Sequence, residues 1–170
     1  MRARIVILLG LFVVGGVVSA QEFKPYASGA GRYKILFPGA VKTETNDITS
    51  GKDTLKLTLD VVELKGDTVF MVSYVDASDE VAKKPAGPRL DKVRDGNKGE
   101  SGKVIEEKDI TLGMEKYQGR DLLIETPSGF IRNRVVIADK RLYQVMVFGN
   151  KDVVTSASAD KFIASFEITK

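Results

Sequence analysis

Residues 130–149 read FIRNRVVIADKRLYQVMVFG, two apolar runs that meet at Asp139-Lys140. Two such runs joined by two polar residues predict a β-hairpin. The second run, RLYQVMVFG, is apolar at odd and even positions alike, which predicts a strand at the centre of a sheet. The first run carries Arg132 and Arg134 one residue apart. Two readings of that pair stand. Either the arginines form a binding surface, or their stems cover apolar neighbours while their heads reach water or pair with acids on a covering helix.

Working outward, QGRDLLIET (118–126) and Pro127-Ser128-Gly129 precede the hairpin, so a three-stranded meander is expected. A three-residue turn at 127–129 places Arg120 opposite Val136, and a two-residue turn at Asp139-Lys140 places Val136 opposite Tyr143. One face then carries the rows Arg120–Val136–Tyr143, Leu122–Arg134–Val145 and Ile124–Arg132–Val147. Arg120, Arg132, Arg134 and Tyr143 on one face are the candidate site, suited to gripping a carboxylate or phosphate among aliphatic side chains.

Upstream, RYKILFPG (32–39) is a short strand stopped by Pro38-Gly39, and the polar stretch 43–53 reads as a loop. TLKLTLDVVEL (54–64) alternates, with Leu55, Leu57, Leu59 and Val61 on one side and Lys56, Thr58 and Asp60 on the other, the pattern of a half-buried strand. Lys65-Gly66-Asp67 turns it into TVFMVSYVD (68–76), apolar on both faces. Residues 21–31 form an extended lead-in anchored by Phe23 and Tyr26, and VIEEKDITL (104–112) is a further strand. Pro88 in a first turn and Gly96 or Gly99 at the exit predict a helix. In the closing TSASADKFIASFEITK, Ala159, Phe162, Ile163 and Phe166 share a helical face, capped by Ser156 or Ser158. The order predicts an α+β fold, a mainly antiparallel sheet of six to seven strands with two main helices packed on it.

Lys83, Lys84, Arg89, Lys92, Arg94 and Lys98 face only Asp91 and Asp95 across residues 81–99. This stretch is the second candidate surface, fit for weak contact with phospholipid headgroups or another polyanion, and equally for a solvated helix face.

The first twenty residues stand apart. Arg2 and Arg4 precede a fourteen-residue apolar run, Ile5 to Val18, and Val18-Ser19-Ala20 offers a cleavage site. The run is shorter than the roughly 20 residues a membrane span needs. The expectation is a cleaved signal peptide over 1–20, with an uncleaved N-terminal anchor as the alternative, and one domain over 21–170, exported to the periplasm or secreted. Without Arg2 and Arg4 the net charge falls from +3 to +1, so no bulk affinity for nucleic acid follows. The chain has no cysteine and no histidine, and so lacks disulfides, the commonest metal ligand and the commonest general base.

Partial matches to catalytic motifs do not hold. Ser158-Ala159-Asp160-Lys161 fits S-x-x-K without its companion elements. GNKGESGKV (96–104) has Asn97 where a P-loop needs glycine and Val104 where it needs Ser or Thr. Asp76, Asp79 and Glu80 are too few for a calcium loop, and alternation sends Glu106 and Glu107 to opposite faces. No catalytic residue, metal or cofactor is expected.

With GRYKILFPG, LDKVRDG, GKVIEEKDITLG, QGRDLLIE, RLYQVMVFG and ADKFIASFEI in place, the chain resembles the PsbP-like proteins over roughly residues 23–168. It looks especially like the small exported bacterial members with a G-x-x-R-x-R strand, matched here by Gly129, Arg132 and Arg134. The resemblance implies an α-β-α sandwich whose members mostly bind or scaffold. The functional expectation is a non-catalytic binding or accessory module of the cell envelope, contacting an envelope protein through the arginine face. A carrier of a small anionic or lipid-like ligand is the alternative, and a hydrolase comes third.

Overall fold

A computed structural model describes residues 22–50 and 52–170, so the expected signal peptide lies outside the described residues. The elements run β1 (Lys24–Ser28), β2 (Tyr33–Phe37), β3 (Lys42–Ser50), β4 (Asp53–Leu64), β5 (Thr68–Asp76), α1 (Asp79–Ala82), α2 (Ala86–Lys98), β6 (Lys103–Leu112), β7 (Tyr117–Thr126), β8 (Gly129–Ala138), β9 (Arg141–Gly149), α3 (Lys151–Val154), α4 (Ala157–Ala164) and β10 (Glu167–Ile168). Seven strands form one sheet in the order β3-β4-β5-β9-β8-β7-β6, antiparallel throughout. β9 is its middle strand, as the apolar run predicts. A second sheet, β1-β2-β10, lies against one face with α3 and α4, and α2 packs on the other face over β7 and β8. The fold class is α+β, as expected.

Two segments depart from expectation. Residues 43–50 belong to β3, paired along its whole length with β4, because a polar edge strand needs no apolar pattern once its partner supplies the hydrogen bonds. The lead-in is itself a strand, β1, whose Tyr26 packs edge-on against Phe37, while Phe23 just before it packs edge-on against Phe70. At α2, Gly99 ends the helix with φ 62, a value glycine adopts without strain. Ser156 caps α4 by accepting from the Ala159 N–H at 3.2 Å.

The main core is aromatic. Tyr33 meets Tyr74, Tyr143 and Phe166, and Phe162 meets Phe37 and Phe70, with ring centroids 5.1–6.3 Å apart. Asp60 sits among them fully buried. Its carboxylate accepts from the hydroxyls of Tyr33, Thr43 and Tyr26, the last at 2.9 Å. Burial first, and then the bond to Asp60, push the Tyr33 phenol above its ordinary value. This reverses the sequence reading of β4. Asp60 and Val62 face the core, while Leu57, Leu59 and Val61 face outward and stay partly exposed. Three hydroxyls make the buried carboxylate tolerable, so the alternation signals a different buried face from the one it first suggests.

Candidate functional site

The β8–β9 hairpin has the expected register, with Val136 opposite Tyr143, Arg134 opposite Val145 and Arg132 opposite Val147. The β7–β8 hairpin does not. Thr126 pairs with Gly129, so the turn holds only Pro127 and Ser128. Gly129 enters the strand at φ 147, where a Cβ would stand 2.9 Å from the Gly149 carbonyl oxygen. Glycine can therefore take a strand position that another residue would leave to the loop. The one-residue shift turns β7 over. Arg120 lies opposite Val135 on the α2 face, Gly119 takes its place opposite Val136, and Asp121 rather than Leu122 stands opposite Arg134. The expected convergence of Arg120 with Arg132, Arg134 and Tyr143 is thus corrected.

On the shared face the two arginines hold the covering helices. Arg134 donates to both oxygens of Asp121, at 2.7 and 2.8 Å, and to the Ile163 carbonyl near the end of α4 at 3.2 Å. Arg132 pairs with Asp160 of α4 at 2.6 Å and donates to the Val154 carbonyl that ends α3 at 3.4 Å. The last carbonyls of a helix lack intrahelical donors, so guanidinium groups satisfy them well. Tyr143 is buried and donates to the Gly31 carbonyl at 2.7 Å. Arg132 still borders a groove of about 360 Å3 with Glu106, Lys108 and Asp121.

On the other face Arg120 reaches Asp91 at 2.6 Å, Glu107 at 2.7 Å and Asp109 at 3.0 Å. Burial works against its charge, but these acids outweigh burial and raise its pKa. Arg94 joins the network through Asp95, Asp91 and Glu107. The basic stretch is therefore dispersed. Lys83 and Lys84 precede α2, with Lys84 near Glu80 at 3.8 Å. Arg94 turns toward β6 and β7, and Lys92 and Lys98 sit elsewhere round the helix. Arg89, one position before the buried Leu90 and on the opposite flank from Arg94, stands on the β9 side. Burial pushes its guanidinium pKa down.

The three acids considered for calcium are each paired, Asp76 with Arg141 at 2.7 Å, Asp79 with Lys140 and Glu80 with Lys84. No cluster of three or more metal-ligating side chains occurs among the described residues. Lys161 of the S-x-x-K match lies over the Phe23 ring, 4.8 Å from its centroid.

A feature the sequence reading missed lies where the β6–β7 and β8–β9 turns meet the C-terminal residues. A cleft of about 1080 Å3 is lined there by Arg32, Met114, Tyr117, Asp139, Arg141 and Tyr143, among others. Arg141 is committed, holding Asp76 bidentately and the Ala30 carbonyl at 2.7 Å. Arg32, at φ 52, has no ion-pair partner among the described residues. Met114 at the rim is 91% exposed. The available signals were the glycine-flanked turns Gly29-Ala30-Gly31-Arg32 and Gly113-Met114, which reveal turns but not that two turns converge.

An antiparallel seven-stranded sheet with a small second sheet and helices on both faces is the PsbP-like fold, and the chain has it. The solution structure of cyanobacterial PsbP (CyanoP) from Synechocystis sp. PCC 6803 is similar, with a TM-score of 0.54 and 12% identity, covering 90% of this chain and 96% of that one. Neither a protein-family model nor a curated protein matches the chain. At this identity the likeness shows the fold alone. Among the described residues no helix is long and apolar enough to cross a membrane.

Proposed function

We propose that this protein is an exported accessory module of the cell envelope that works by binding a protein partner and performs no catalysis. The observation that carries the reading is the cleft at the strand ends, where the unpaired Arg32 and the nearly bare Met114 share one rim. An exposed flexible apolar side chain beside a free guanidinium suits a partner segment that offers an apolar residue next to a carboxylate. The arginines of the sheet face hold α3 and α4 in place.

The carrier alternative asks for an enclosed apolar chamber of a few hundred Å3. The interior is instead filled by Tyr33, Phe37, Phe70 and Phe162. A photo-crosslinking residue at Met114, introduced in the native host, tests the proposal. A discrete protein adduct that disappears with Arg32→Glu is expected. No adduct, or one indifferent to Arg32, would refute the cleft. Turnover of a simple ester that is lost on Ser158→Ala would refute the non-catalytic reading.

A further inference from the structure

The outer face of β4, β5 and β9 is apolar, and no helix packs on β4 or β5 from that side among the described residues. Leu57, Leu59, Val61, Met71, Met146 and Phe148 lie there partly exposed, and none belongs to either buried core. β4 spends its clearest alternation on this face while sinking a carboxylate into the core. Register of that kind is specified where a face is to be buried.

We propose that a second copy of this chain covers this face, the two sheets stacking about a two-fold axis that runs along the strands near β4 and β5. Three observations choose this occupant and this axis. The first is the step made by α2, which stands over β7 and β8 beside the bare floor. Sheets stack about 10 Å apart, the thickness of one helix layer. A two-fold across the strands would drive one α2 into the other. A two-fold along them instead sets each α2 beside the partner copy's β3 edge.

The second observation is charge. Glu44 on β3 shares a row with Leu59, Ser73, Gln144 and Val135. Arg120 continues that row past Val135 and reaches Asp91 of α2, two residues on from Arg89, at 2.6 Å. Arg89 and Glu44 therefore sit at one level on opposite sides of the floor, and neither has an ion-pair partner among the described residues. The strand-parallel axis keeps the level and exchanges the sides, so each Arg89 meets the other copy's Glu44 and the contact forms twice.

The third is area. Three strands about 4.8 Å apart and four alternate residues about 6.8 Å apart give an apolar floor of about 400 Å2 per copy, which the outer face of β3 widens to about 500 Å2. Two floors and two α2–β3 contacts reach the roughly 1,200 Å2 at which specific interfaces begin.

The test is sedimentation of the full chain, expressed and processed in its host, over a wide concentration range. A dimer is expected. Arg89→Glu alone and Glu44→Arg alone should each weaken it about tenfold or more, and the two together should restore it, because a swapped pair attracts as the original does. Glu44 is exposed and Arg89 half-buried, so a far-UV circular dichroism spectrum matching the parent protein's establishes that each variant is folded. A monomer at every concentration overturns the proposal. Crosslinks from Met71 then tell whether residues 1–20 or a different protein covers the face. A dimer indifferent to both charge reversals also overturns it. Neither readout depends on the Met114 cleft.

Discussion

Arg134 clasps both carboxylate oxygens of Asp121, at 2.7 and 2.8 Å, and still reaches the Ile163 carbonyl with its remaining amino group. One side chain thus ties β8 to β7 and to the end of α4. Arg134→Ala should lower stability by about 2 kcal/mol, since a charged hydrogen-bonded pair is broken and the Ile163 carbonyl keeps only its long bond from the Phe166 N–H. Arg134→Lys should recover less than half, because an ammonium cannot reproduce the fork. The midpoint of urea unfolding measures both, and a loss under about 0.5 kcal/mol for the alanine variant would contradict the assignment.

Arg120 stands between Asp91, Glu107 and Asp109 with only 10% of its side chain exposed. Arg120→Ala leaves Asp109 without its arginine and Asp91 and Glu107 sharing Arg94, and should cost about 1–2 kcal/mol because the acids are partly solvated. Adding Glu107→Gln should return part of that loss. A double-mutant cycle reads the coupling, and strict additivity would mean the network is not shared.

Asp60→Ala orphans the buried Tyr33 hydroxyl and leaves those of Tyr26 and Thr43 to each other and to water, with an expected loss of about 2–3 kcal/mol. Tyr33→Phe should cost about 1 kcal/mol, because Asp60 keeps two donors. Thermal unfolding of the two variants side by side checks the ranking.

Two groups pushed in opposite directions lead the two limbs of the pH profile, beside the raised Tyr143 and Tyr26 phenols and the lowered Asp79 and Asp95 carboxyls. Tyr33 is raised by burial and then by Asp60. Its contribution is complete below the unfolded phenol value of about 10 and is lost as pH climbs toward the higher folded value. Asp76 is lowered chiefly by its hydrogen bonds to Arg141. Its contribution is present above the unfolded value of about 3.9 and fades as pH falls through the lower folded one. With no histidine or cysteine between them, stability should be flat from about pH 5 to 9 and fall at both ends. Tyr33→Phe should flatten the alkaline limb, and Arg141→Met the acid one. A step near neutrality would contradict this account.

The fold was legible where one residue pattern had one physical solution. RLYQVMVFG can bury both faces only at the middle of a sheet, and Asp139-Lys140 closes a hairpin whose register came out right. The site was less legible, because register rests on a single glycine. Gly129 looks like the last residue of a turn and behaves as the first of a strand, and that difference carries Arg120 through the sheet. Asp60 misled for a related reason. A carboxylate in an alternating strand reads as solvent-facing until Tyr26, Tyr33 and Thr43, remote in sequence, arrive to satisfy it. The cleft at Arg32 and Met114 needed two turns brought together from distant segments, which no local pattern records.

The pairing of β5 with β9 has a kinetic side. The main sheet consists of two meanders, β3-β4-β5 and β6-β7-β8-β9, and one seam, Val72 beside Val145, joins them across more than 70 residues of chain. Contacts so distant in sequence form late and slowly. A chain delivered N-terminus first therefore carries two half-sheets with open edges until RLYQVMVFG emerges, and the strand at the centre of the finished molecule is also its latch.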